Sequence, residues 1–85
     1  PQISDVLTDQ GVMYREMKDF KKALENFKKA GAADPKHLPS MLNLGIVYAN
    51  DLNDKAQAKK VWTKLVEMAP DSPQGVQAKE LLKGL

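Results

Sequence analysis

Residues Met41–Pro70, MLNLGIVYANDLNDKAQAKKVWTKLVEMAP, repeat the pattern of an earlier stretch, Leu7–Pro35, LTDQGVMYREMKDFKKALENFKKAGAADP. Leu7, Gly11 and Tyr14 recur after 34 residues as Met41, Gly45 and Tyr48. Ala23, Phe27, Ala30 and Pro35 recur after 35 as Ala58, Trp62, Leu65 and Pro70. This is the period of a helix-turn-helix unit that cannot bury its apolar face alone, so that neighbouring units stack into a solenoid.

Working outward, helical spacing places Leu7, Gln10, Gly11, Tyr14 and Met17 on one stripe of a first helix, about Ser4 to Met17. Gly11 costs stability inside a helix, and the cost is explained if a partner helix crosses there, since a missing side chain permits the closest approach. Asp19 is the expected cap of a second helix carrying Phe20, Ala23, Leu24, Phe27 and Ala30 on one face and ending between Gly31 and Asp34. After Pro35 a third helix, with Pro39 in its first turn, is expected to reach about Asn50 and to repeat the stripe as Met41, Leu44, Gly45 and Tyr48. The drift from 34 to 35 is assigned to a turn, Asp51 to Asp54, one residue longer than its counterpart. Asp54 then caps a fourth helix, Lys55 to about Met68, with Ala58, Val61, Trp62 and Leu65 inward. Ser72 and Pro73 open a fifth helix that Gly84 ends.

Composition narrows the classes. The chain has 85 residues, enough for one small domain with a modest core. Thirteen basic residues against 11 acidic leave a net charge of +2, too weak a field to argue for nucleic acid or an anionic membrane. Without cysteine there is no disulfide, thiolate zinc site or cysteine nucleophile, and either redox compartment is compatible. No run approaches the length of a membrane span, and no signal peptide opens the chain, which reads as a soluble piece of cytoplasmic or periplasmic origin. Starting at Pro1, it has the look of an excised or processed segment.

The recurring residues closely resemble the tetratricopeptide repeat, whose pattern is a large residue, leucine-glycine, a tyrosine three residues on, then an alanine, an aromatic and a proline. Met41, Leu44, Gly45, Tyr48, Ala58, Trp62 and Pro70 match it in the second repeat; the first substitutes Leu7 for the large residue and Gln10 for the leucine. The resemblance implies an all-α, antiparallel helix-turn-helix solenoid of five helices forming a single domain over residues 1–85. Repeat one covers about 4–35, repeat two about 38–70, and a C-terminal capping helix about 72–84. The repeats are similar to those of bacterial multi-repeat proteins. Proteins of this kind are mostly noncatalytic scaffolds that hold a peptide or a partner helix in a concave groove lined by the first helix of each pair, a wide surface without a deep cleft for chemistry.

Geometry identifies the wall that faces away from the packed stripe. It comprises Asp5, Thr8, Asp9, Val12 and Glu16 in the first helix, Leu42, Asn43, Ile46 and Asn50 in the third, and Gln74, Gln77, Ala78 and Leu81 in the fifth. Val12, Leu42 and Ile46 form a shallow apolar strip, the asparagines offer bonds to an extended backbone, and the acidic groups favour a basic ligand. Equally, these residues can be plain inner wall or contacts to further repeats. The family subtype that clamps a C-terminal carboxylate uses lysine, asparagine and arginine here. Only Asn43 matches, while Thr8, Val12, Gln74 and Ala78 do not, so the clamp is rejected.

Other readings rank lower. A structural spacer or self-association unit, monomeric or weakly associating, is the alternative to groove binding. Nucleic-acid binding through Lys18, Lys21, Lys22, Lys28, Lys29, Lys55, Lys59, Lys60 and Lys64 comes third, because the aromatics are committed to the core and Glu25, Asp54 and Glu67 dilute the field. His37 is the only histidine, expected as a turn residue, and it lacks partners for a metal or catalytic site. Ser4, Ser40 and Ser72 are expected as helix caps rather than nucleophiles. No catalytic, metal, cofactor or small-molecule site is therefore expected.

Overall fold

The computed structural model describes residues 3–85. Five α-helices follow one another: α1 (Ile3–Glu16), α2 (Phe20–Ala33), α3 (Leu38–Ile46), α4 (Lys55–Met68) and α5 (Pro73–Lys83). A π-helical turn, Val47–Asp51, extends α3. Their starts are set locally. Asp19 accepts the backbone N–H of Lys22, Asp54 that of Gln57 and Ser72 that of Gly75, each satisfying a donor that the first helical turn leaves open.

Successive helices pack antiparallel. In addition α1 touches α3 and α3 touches α5, whereas α2 and α4 share no comparable contact. The first helices of each pair thus form the tighter, inner layer and the second helices splay on the outside, which curves the array. Two buried clusters lie between the layers. Ala23, Phe27 and Val47 form one; Leu42, Ala58, Trp62, Leu65 and Ala78 form the other.

The two repeat glycines explain the aromatic landmarks. A methyl group at Gly11 would sit 2.5 Å from Phe27 Cε1, and one at Gly45 would meet the Trp62 indole nearer still. What crosses each glycine is the ring of its own repeat's second helix, and both rings are 1% exposed. Trp62 Nε1 also donates to Leu42 O at 3.1 Å, so the indole reaches the core with its polar atom satisfied.

The extra residue of the second repeat is not in the loop. In the first repeat Met17 N–H donates to Met13 O, four residues back; in the second, Leu52 N–H donates to Val47 O, five back. The helix absorbs the residue as one wide turn. Both repeats then end alike, with Lys18 (φ 64°) and Asn53 (φ 55°) in left-handed backbone ahead of the capping aspartates.

Four further expectations need correction. Met17 lies just beyond α1 and is 69% exposed, since among the described residues no helix covers it. His37 is buried and caps α3 instead of idling in a turn, accepting from the Ser40 backbone N–H at 3.3 Å. Ser4 is not a cap: its hydroxyl donates to Ala30 O at 2.9 Å and ties α1 to the end of α2. Ser40 sits inside the first turn of α3, where its hydroxyl donates to His37 O at 2.9 Å.

Candidate functional site

The inner wall is built by α1, α3 and α5. On α1, Asp5, Asp9 and Glu16 are exposed, and Val12 is half-buried against the Phe27–Val47 cluster. Thr8 is 5% exposed, and its Oγ1 is a buried atom without a hydrogen-bond partner among the described residues. On α3 and its π turn, Ile46 is half-buried and Asn50 exposed. Asn43 is half-buried and its Nδ2 donates to Pro39 O at 2.9 Å, so that part of its amide is already engaged within the helix. Leu42 is 8% exposed and belongs to the core around Trp62. On α5, Gln77 is exposed, Gln74 and Leu81 half-buried and Ala78 fully buried.

Of the residues expected on this wall, Asp5, Asp9, Val12, Glu16, Asn43, Ile46, Asn50, Gln77 and Leu81 keep exposed surface, while Thr8 and Leu42 are buried. For Leu42 the reason is packing between helices: it joins Ala58, Trp62 and Leu65 of α4 and Ala78 of α5, in space that periodicity alone assigns to solvent.

Charge differs between α1 and the outer helices, while α5 carries Lys79, Glu80 and Lys83. Apart from Arg15, the charged residues of α1 are acidic, and Arg15 is held by Asp51 through Nε–Oδ2 at 2.6 Å and Nη2–Oδ1 at 3.2 Å. The outer helices carry Lys21, Lys22, Lys28 and Lys29 on α2 and Lys55, Lys59, Lys60 and Lys64 on α4, all exposed. Phe27 and Trp62 are buried beneath them, so that the lysines lack those rings as stacking partners for bases. Lys22 and Lys28 instead place their ammonium groups 5.6 and 6.0 Å from the ring centres of Tyr14 and Tyr48.

One constellation escaped sequence reasoning. Asp5 Oδ1 lies 2.7 Å from His37 Nε2, and His37 Nδ1 lies 3.0 Å from Ser40 Oγ. Carboxylate, imidazole and hydroxyl stand in the order of a nucleophilic triad. Their other bonds give them a different task. Nδ1 accepts from the Ser40 backbone N–H, which places the ring proton on Nε2 toward Asp5, and the Ser40 proton is committed to His37 O. Ser40 is 1% exposed, out of reach of a substrate. The group works as a helix cap tethered across 32 residues to α1. A sequence clue existed only in the proximity of His37 and Ser40; Asp5 could not be paired with them without the fold.

The departure of Gln10 from the repeat pattern is compensated in space. Buried Asn26 donates its amide to Gln10 Oε1 at 3.1 Å, and the corresponding positions in the second repeat are Leu44 and Val61, which line one cleft. A polar pair replaces an apolar one at the same place.

No curated protein and no solved structure matches the chain. A family model described as tetratricopeptide repeat matches residues 14–83. With the paired antiparallel helices, the glycine under each aromatic ring and most of the chain within the match, this protein belongs to the tetratricopeptide repeat family.

Proposed function

We propose that the inner wall holds a basic peptide or the basic face of a partner helix. Tetratricopeptide repeats are in general protein-interaction scaffolds and generally noncatalytic. The observation that carries the finer reading is the row Asp5, Asp9 and Glu16, exposed on α1 beside the half-buried Val12, Ile46 and Leu81, while the lysines of α2 and α4 lie on the outer helices. A ligand lying along the wall meets negative charge over apolar patches, and the helices beneath it are locked together, so little ordering cost falls on the protein.

The test is titration of the protein with a synthetic peptide alternating lysine and leucine, read by chemical shifts, beside a control with glutamate in place of lysine. The reading expects shifts at Val12, Ile46 and Asn50 with the basic peptide alone. Asp9→Lys with Glu16→Lys, both exposed, should weaken binding roughly tenfold without changing the melting curve, since each surface charge contributes about 0.5–1 kcal/mol. Equal binding of both peptides, or shifts confined to α2 and α4, would refute it.

A further inference from the structure

Gly31 is the one glycine inside a helix that packing does not require. A methyl group at Gly11 or Gly45 would strike an aromatic ring, one at Gly75 would strike Ala69 O, and Gly84 follows the last helix. At Gly31 nothing lies within 4 Å, and its backbone is not left-handed. Glycine lowers the stability of a helix, and the counterpart in the second repeat is the half-buried Val66. What the missing side chain leaves is space.

That space belongs to a cleft of about 240 Å³ between the outer helices, lined by Gly31, Pro35, Met41, Leu44, Val61 and Lys64. It exists because α2 and α4 each pack on α3 but not closely on each other. Met41, Leu44 and Val61 are half-buried, and Val61 belongs to neither buried cluster. In the first repeat the places of Leu44 and Val61 are taken by Gln10 and Asn26, which satisfy each other; in the second they offer carbon to the cleft. Lys64 is exposed and, like Lys60 one turn before it, makes no ion pair among the described residues. Lys28, one turn before Gly31, has the Tyr48 ring beneath it and no carboxylate. Asp34, next to Pro35, already accepts from the Lys36 backbone N–H at 3.0 Å.

We infer that this cleft is a docking site for a single large apolar side chain, phenylalanine or leucine, of a partner segment that carries aspartate or glutamate beside it. The apolar walls take the side chain, the bare backbone at Gly31 admits it, and Lys64, with Lys60 and Lys28 nearby, meets the carboxylates. The volume lies below the roughly 300 Å³ at which small-molecule pockets begin, which suits one side chain. The cleft is not a place left for a further repeat, because the helices on both sides of it are already present. Its occupant is opposite in charge to a ligand of the inner wall, and the inference does not depend on what that wall binds.

The experiment titrates the 85-residue protein with a capped peptide holding one phenylalanine among glutamates, followed by chemical shifts into the millimolar range. The dissociation constant should be on the order of 1 mM, as one buried side chain and exposed ion pairs provide, with shifts at Gly31, Leu44 and Val61. Alanine in place of the peptide's phenylalanine should weaken binding roughly tenfold, and Lys64→Glu in the protein roughly fivefold. Gly31→Leu, which fills the cleft from its wall, should abolish binding without lowering the thermal midpoint. Equal binding of the phenylalanine and alanine peptides, which marks a diffuse response of the lysines, overturns the proposal. So do unweakened binding by both protein variants, a lowered midpoint in Gly31→Leu, and shifts that are absent from the cleft or confined to α1.

Discussion

Arg15 and Asp51 form a two-bonded ion pair between the end of α1 and the π turn after α3, with the Asp51 side chain only 10% exposed. Asp51 lies in the wide turn created by the extra residue of the second repeat. The insertion that breaks the repeat period thus brings a carboxylate to the neighbouring helix, and the two repeats are fastened at that end. At the other end Asp5 and His37 do the same.

Asp51→Ala is expected to lower unfolding free energy by about 1–2 kcal/mol, the range for a charge-assisted pair with one partner partly exposed. A double-mutant cycle with Arg15→Met, followed by urea denaturation, isolates the pair. A coupling below about 0.3 kcal/mol would show that the pair adds nothing to stability.

The glycines should respond with opposite signs. Nothing lies within 4 Å of a methyl group added at Gly31, so Gly31→Ala gains helix stability, about 0.5–1 kcal/mol. Gly45→Ala forces the buried Trp62 ring aside and should cost about 1–3 kcal/mol. Thermal melts of the two variants check this, and a stabilised Gly45→Ala would contradict the packing described.

Among the described residues the buried Thr8 hydroxyl has no partner, so the methyl of valine suits the site better. Thr8→Val is expected to raise stability by about 1 kcal/mol, the order of the cost of an unsatisfied buried polar group. Helix propensity hardly differs between the two residues. A loss of stability in urea would mean that the hydroxyl is bonded.

Much of the fold was readable in order along the chain. Asp19, Asp54 and Ser72 cap their helices as their positions indicate, because a cap joins a side chain to a backbone group three residues away. Gly11 likewise announced a close crossing, while the structure showed that the ring of Phe27 makes it and that Trp62 does the same at Gly45. Periodicity failed where burial depends on a neighbour. Met13 and Val47 occupy the same place in the pattern, yet one is 60% exposed and the other fully buried, because α2 packs on Val47 and, among the described residues, no helix does so on Met13. The candidate wall suffered from the same limit: spacing set Thr8 and Leu42 beside Asp9 and Asn43, and inter-helix packing drew the first two into the interior.

The sequence by itself determined the helices, the caps of α2, α4 and α5, the pairing of repeats and the family, since each rests on residues close together or on a recurring order. Only the tertiary structure decided that Asp51 meets Arg15, that Asp5 and Ser40 flank His37, and that the extra residue is wound into a π turn. Those outcomes join positions more than 30 residues apart or balance a wide helical turn against a longer loop. The physical reason is that such choices are made by the distance and angle between packed helices, which no local propensity encodes.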